Sequence, residues 1–128
     1  MSKISRDDIK KKGIKRTLRT FKFSFQGLSY AYKNEQSMWI HAGASVATIT
    51  LGFIVGLTLT EWAIVLIALG VILASELINT AIEAAVDLCT LEIHPLAKIA
   101  KDCGSASTFV LTICAVIVFL FVFVPYFV

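Results

Sequence analysis

The sequence is poor in the features that mark most soluble catalytic domains. Only 16% of its 128 residues are charged, whereas 57% are hydrophobic, and residues 104–128 contain no charged side chain. It has no GxxxxGK[ST] phosphate-binding loop and no glycine-rich loop placed before a strand. This composition is too apolar for an ordinary soluble domain, so we expect the protein to lie in a lipid bilayer, and a P-loop nucleotide site is excluded.

Cysteine is also scarce, and its spacing argues against disulfides. Cys89, Cys103 and Cys114 form no CxxC pair, which predicts free thiols in a reducing compartment. Cys89, His94 and Cys103 form an alternative metal-ligand set, but we interpret these cysteines as small apolar side chains. The first long apolar segment begins near residue 38 without a cleavage site, so we expect no removable signal peptide.

Apolar stretches predict three membrane-spanning helices. The segments Ile40–Leu59 and Gly104–Val128 each reach the length of about 20 residues that a spanning helix requires. Between them, Trp62–Ser75 is continuously apolar, and polar residues then enter the same segment. The sequence therefore predicts one all-α membrane domain over residues 1–128, with spanning helices at about 38–59, 62–88 and 100–127.

The charged residues are separated along the chain. Residues 1–33 hold ten Lys and Arg against two Asp, a balance of +8, whereas the remainder holds two basic and seven acidic residues, a balance of −5. Within the basic segment, apolar residues recur at helical spacing: Ile14, Leu18, Phe21, Phe25, Leu28 and Tyr32. This pattern predicts an amphipathic helix at the membrane surface within residues 1–33, and it favours a bilayer over nucleic acid as the partner of the basic segment.

The positive-inside rule assigns an orientation to the three spans. With the basic N-terminus in the cytoplasm, the turn around Thr58–Glu61 lies outside and carries no Lys or Arg. Lys98 and Lys101 then return to the cytoplasmic side, and the C-terminus ends outside. We therefore predict a multi-pass protein of a bacterial cytoplasmic membrane with every basic side chain on the inner face.

Polar residues of the second span form one stripe. At 3.6 residues per turn, Glu76, Asn79, Thr80, Glu83 and Asp87 fall within an arc of about 100°. A charged side chain at membrane depth costs roughly 2.5–3.5 kcal/mol on insertion scales, so such groups are usually functional. Hydrogen bonds between helices would explain one Asn, but three carboxylates repel one another unless a cation lies between them.

Further polar residues are expected on the same side of the membrane as the stripe. They precede the first span or follow the second, and they are Asn34, Glu35, Glu92, His94, Lys98, Lys101 and Asp102. Together they provide acids for a metal, a base and cations for phosphate, which is a combination that supports phosphoryl transfer. The residues alone leave an enzyme and a cation or proton conductor both open, and a membrane-anchored scaffold would leave the acids unexplained.

The run ELINTAIEAAVD at residues 76–87, followed by HPLAKIAKD at residues 94–102, resembles the prokaryotic diacylglycerol kinase family. The resemblance covers essentially the whole chain, including Asn34-Glu35 before the first span. It implies a homotrimeric helical bundle with composite sites between subunits, which phosphorylates a membrane lipid alcohol with ATP and Mg²⁺. The acceptor in this family is diacylglycerol in Gram-negative bacteria and undecaprenol in Gram-positive bacteria.

The resemblance also implies roles for individual residues. Glu76 is similar to the catalytic base, Glu35 and Glu83 to the metal ligands, and Asn79 and Asp87 to residues that orient them. The implied ATP-binding set is Arg16, Phe23, Glu35, Glu83, Glu92, Ile93, His94, Lys101 and Asp102. Arg16, Glu76 and Ser105 are the implied lipid-substrate residues.

Two local features refine these expectations. The sequence from Gln36 to His41 lacks the Arg-Gln-Glu of the Gram-negative enzymes, and we interpret His41 as an interfacial or helix-packing residue. His94-Pro95-Leu96-Ala97-Lys98 is closer to the Gram-positive branch, which favours undecaprenol as the acceptor over diacylglycerol. Gly52 and Gly56, and the small residues at 104–107, predict close helix contacts.

Overall fold

A computed structural model describes residues 13–128, so the predicted part of the surface helix at residues 1–12 lies outside the described residues. Four helices follow one another: α1 (Ile14–Asn34), α2 (Gln36–Val55), α3 (Leu59–Cys89) and α4 (Pro95–Phe123). A short 3₁₀ turn, Val124–Tyr126, follows α4. No strand occurs between residues 13 and 128, which confirms the all-α prediction.

In the part of the chain that the structure describes, three helices are long and apolar enough to cross a membrane: α2, α3, and α4 continued through Tyr126. Most large apolar side chains on these helices are exposed, including Phe53 at 75% and Phe121 at 77%. Outward-facing apolar residues are what a hydrocarbon environment requires of a spanning helix. The fold therefore confirms the predicted class, an all-α protein with three spanning segments.

The turn between α2 and α3 is set by a glycine and a capping box. Gly56 has φ +74°, a left-handed backbone conformation that residues other than glycine rarely adopt. Its N–H donates to the Gly52 carbonyl at 3.1 Å. Thr58 then caps α3 reciprocally with Glu61. As a result α2 ends at Val55, before the expected boundary near 59, and α3 starts at Leu59, before the expected boundary near 62.

The last helix also starts earlier than the hydrophobic pattern suggests. His94 Nδ1 accepts the Leu96 N–H at 3.2 Å, and Pro95 occupies the first helical position, where its missing N–H is no loss. Helix α4 therefore begins at Pro95 instead of near residue 100. Its first turn carries the His-Pro-Leu-Ala-Lys segment, so these residues belong to the helix and its cap.

The helices pack mainly through α3 and α4, and α2 covers part of α3. At the Gly56 end of the bundle, Leu57, Val65, Val122 and Phe123 form a buried cluster. A Cβ on Gly52 would lie 2.8 Å from the Trp62 ring, so this glycine is needed for close contact within one chain. Nearby, the Tyr126 hydroxyl donates to Glu61 at 2.7 Å and ties the chain end to the start of α3.

Candidate functional site

The predicted polar stripe of α3 faces the neighbouring helices. Glu76 and Thr80 are buried, with 6% and 7% of their surface exposed. The Thr80 hydroxyl donates to the Glu76 backbone carbonyl at 3.0 Å, a bond within the helix that leaves the carboxylate for other partners. Glu76 is therefore an acid held in the interior of an apolar bundle.

The Glu76 carboxylate contacts two residues of α2. The Ser37 hydroxyl donates to Oε2 at 2.8 Å, and His41 Nε2 lies 3.1 Å from Oε1. The sequence predicts His41 as an interfacial or helix-packing residue, and it identifies neither the His41–Glu76 contact nor Ser37 as a partner of Glu76. A signal was available, because Ser37 and His41 are four residues apart and share one face of a helix that opposes the stripe.

One turn further along α3, Asn79 and Glu83 form a second polar pair. Asn79 Nδ2 donates to Glu83 Oε1 at 3.1 Å, whereas Asn79 Oδ1 is buried without a hydrogen-bond partner. Gly104 of α4 lies against this oxygen, since a Cβ added there would be only 2.5 Å from Oδ1. The small size of Gly104 thus allows α4 to approach the Asn79 side chain closely.

Asp87 continues the stripe towards the loop between α3 and α4. Its Oδ1 lies 2.6 Å from Lys101 Nζ, a pair in which both side chains are about half exposed. Lys98 forms a second ion pair with Asp102 on the exposed surface of α4. The predicted residues Asp87, Lys101 and Asp102 are therefore close together at one end of the bundle.

The α3–α4 loop completes a cleft at this end. The cleft has a volume of about 290 Å³, and the predicted residues that line it are Asp87, Glu92, Ile93, His94, Lys101 and Asp102. Lys98 lines the same cleft. The cleft thus combines two lysines with two carboxylates of the helices and the loop carboxylate of Glu92, a mixture of charges suited to phosphates with a bound cation.

The remaining predicted residues lie elsewhere in the chain. Glu35 is the single extended residue between α1 and α2, and it is half-buried. Arg16 and Phe23 are exposed on α1, and Arg16 lines a shallow groove made only of α1 residues and Gly13. At 1.5 Å per residue, Arg16 is roughly 28 Å along the axis of α1 from Glu35. Ser105 is exposed on α4, and its carbonyl accepts the Thr108 hydroxyl.

A mainly apolar groove adjoins the buried acid. It has a volume of about 240 Å³ and lies between α2, α3 and α4. His41 lies at its Glu76 end, Ile72 and Thr112 line its walls, and Phe123 lies at the other end. From Thr112 to Phe123 the groove follows α4 for roughly 16 Å. His41 thus contacts both the groove and the carboxylate.

The donors near Glu83 suit a hard divalent cation. Among residues 13–128, no cluster of three or more His, Cys, Asp or Glu side chains is placed to hold a metal. Mg²⁺ is usually bound by one or two carboxylates together with substrate phosphates, so a full protein cage is not required. Glu83 offers one carboxylate of that kind, and its Oε1 accepts the Asn79 amide N–H at 3.1 Å.

Comparison with known proteins shows similarity to one family of bacterial lipid kinases. The profile described as "Prokaryotic diacylglycerol kinase" matches residues 22–123. The chain is 36% identical over 112 residues to the undecaprenol kinase of Bacillus subtilis, covering 88% of this chain and 91% of that protein. It is 38% identical over 98 residues to a diacylglycerol kinase of Pseudomonas aeruginosa, covering 77% and 80%. A Synechocystis diacylglycerol kinase is 36% identical over 100 residues, covering 77% of this chain and 57% of that protein.

Proposed function

Because the chain belongs to the prokaryotic diacylglycerol kinase family, we propose that it transfers the γ-phosphoryl group of ATP to the hydroxyl of undecaprenol. Family membership establishes an alcohol-accepting phosphotransferase of the membrane. The longer coverage of the Bacillus subtilis undecaprenol kinase supports undecaprenol over diacylglycerol, which is the alternative acceptor. The His94–Lys98 segment supports the same choice.

The observation that carries the proposal is the buried Glu76 carboxylate beside the apolar groove. A lipid chain lying in the groove would bring its terminal hydroxyl to the His41 end, next to the only carboxylate of α3 that is buried. General bases contribute about 10²- to 10⁴-fold to a rate when they lie within hydrogen-bond reach of the proton they accept. Glu76 is therefore the proposed catalytic base.

The proposed reaction is a direct transfer. Glu76 accepts the proton of the lipid hydroxyl, the lipid oxygen forms a bond to the γ-phosphorus, and the bond from that phosphorus to the β–γ bridging oxygen breaks. ADP leaves with that bridging oxygen. A divalent ion, for which Mg²⁺ is proposed, would when bound neutralise charge on the phosphates.

Residues nearer the loop are proposed to bind nucleotide. Glu83 and Glu35 would hold the divalent ion, and the hydrogen bond from Asn79 orients Glu83. Lys101, oriented by Asp87, provides the cation for phosphate in the cleft. The remaining ATP contacts proposed from this cleft are with Glu92, Ile93, His94 and Asp102.

Arg16, Phe23 and Ser105 support the further proposal of a homotrimer with composite sites. Arg16 lies roughly 28 Å along α1 from Glu35, so Arg16 and Glu35 of the same straight helix cannot contact one ATP molecule at the same point. A site walled by two subunits would allow Arg16 and Phe23 of one chain to reach ATP bound at the acids of its neighbour. Ser105, exposed on α4, is proposed to contact the lipid headgroup region.

Competitive phosphorylation of undecaprenol and diacylglycerol by wild-type protein tests the proposal. With Mg-ATP in mixed micelles, radiolabelled phosphate should enter undecaprenyl phosphate preferentially. Glu76→Gln should lower kcat by about 10²- to 10⁴-fold with ATP affinity unchanged, because it removes a base and no metal ligand. Glu83→Gln should instead weaken Mg-ATP binding.

Glu61→Gln is the matched control, because Glu61 is on the same helix but at the opposite end. Its turnover should equal that of wild type. Equal loss of ATP affinity in Glu76→Gln and Glu83→Gln would contradict the division between base and metal ligand. Cation flux without ATP, and no phosphorylation of either lipid, would favour a conductor instead.

A further inference from the structure

Both oxygens of Glu76 are held from the same helix. Ser37 donates to Oε2 at 2.8 Å, and His41 Nε2 lies 3.1 Å from Oε1. The Glu76 side chain is 7% exposed and that of His41 is 17% exposed, so water competes little for either contact. A carboxylate with one partner on each oxygen has a defined orientation, whereas a carboxylate with one partner rotates about it.

His41 is unusual within its helix. It is the only titratable side chain of α2 between Gln36 and Val55, and the helix is apolar enough to span a membrane. If position 41 served only in packing, an apolar side chain of similar size would be sufficient there. A polar ring in a spanning helix instead points to a specific partner, and here that partner is the Glu76 carboxylate.

We infer that His41 is a positioning residue for Glu76. The inference rests on the proposed role of Glu76 as base. His41 donates its Nε2–H to Oε1 while Ser37 donates to Oε2, so the plane of the carboxylate is fixed. One lone pair on each oxygen then remains available to a hydroxyl that arrives along the groove lined by His41. His41 itself takes no proton from the substrate.

The test compares His41→Leu with His41→Gln in the full-length protein. Leucine keeps the approximate volume but has no donor, whereas glutamine presents an amide N–H near the position of Nε2. We expect His41→Leu to lower kcat by about 10- to 100-fold, the effect of losing one hydrogen bond to a charged group. The KM for ATP should stay within about twofold, and His41→Gln should recover most of kcat.

The decisive quantity is the ratio of kcat between His41→Gln and His41→Leu, each normalised to folded protein. A ratio of about fivefold or more supports positioning by hydrogen bond, and a smaller ratio overturns it. Ser37→Ala should also lower kcat, since the Glu76 carboxylate then keeps one partner and can rotate about it. Thr50→Val, which removes a hydroxyl bonded only to the Val46 carbonyl of α2, is the control.

The kcat of Glu76→Gln, measured under the same conditions, distinguishes failure of the inference about His41 from failure of the proposed base. If Glu76→Gln is inactive and His41→Gln and His41→Leu have equal kcat, the inference about His41 fails and the proposed base stands. If Glu76→Gln retains wild-type turnover, the proposed base fails, and the inference about His41 fails with it. Melting temperature of each variant in detergent shows whether a low kcat reflects unfolding.

Discussion

Replacing Gly104 by alanine should disturb the Asn79–Glu83 pair while the helices remain folded. The added Cβ would lie 2.5 Å from Asn79 Oδ1, and ordinary contact begins at 3.4 Å, so the two atoms must separate by 3.4 − 2.5 = 0.9 Å. The atom that must move is at the end of a side chain, so a rotation of Asn79 relieves the overlap. That rotation removes the 3.1 Å hydrogen bond from Asn79 to Glu83.

The expected magnitude follows from that bond. A hydrogen bond to a charged group is worth about 1.5–3 kcal/mol, so Mg-ATP affinity should fall by about 10- to 100-fold. Folding stability should change less, because alanine gains up to about 1 kcal/mol over glycine inside a helix. Titration of Mg-ATP by calorimetry, together with thermal unfolding in detergent, measures both quantities.

Two further variants make the Gly104 result decisive. Gly70→Ala is the matched control, because Gly70 lies in α3 and nothing is within 4 Å of its added Cβ. In an Asn79→Ala background, Gly104→Ala should have little additional effect on Mg-ATP affinity, since the obstructing oxygen is gone. If Gly104→Ala binds as tightly as Gly70→Ala, or if its effect adds fully to that of Asn79→Ala, the reasoning is refuted.

Two other predictions concern the nucleotide cleft and the orientation. Lys101→Met should raise the KM for ATP by about tenfold and leave the melting temperature nearly unchanged, because its ion pair with Asp87 is half exposed. An unchanged KM for ATP would contradict the proposed role of Lys101 in the cleft. A periplasm-dependent reporter fused after Val128 should be active, as the proposed orientation requires, and activity of a cytoplasm-dependent reporter there would reverse the orientation.

The sequence predicts the helices well because their signals are local. Length and hydropathy mark three spans, and the spacing from Glu76 to Asp87 places the acids on one face before any contact is known. The helix ends differ from expectation because they depend on single residues, as in the left-handed Gly56 and the Thr58 cap. Hydropathy windows average over such residues.

Contacts between helices are less predictable. The approach of His41 to Glu76 depends on the register of α2 against α3, which hydrophobic periodicity leaves undetermined when most of a helix is apolar. The same holds for Gly104. The sequence shows that this residue is small, but it does not show that Gly104 lies against Asn79. Only the packed helices show that His41 contacts Glu76 and that Gly104 lies against Asn79, the hydrogen-bond partner of Glu83.

Glu35 has a mechanical consequence that follows from its position. It is the only non-helical residue between α1 and α2, with φ −111° and ψ 116°. Because the linker is one residue long, a change in the angle between α1 and α2 alters these two torsions. If α1 lies among the lipid headgroups, as its sequence pattern predicts, the direction of the Glu35 side chain depends on how deeply α1 sits there, and so on the composition of the bilayer.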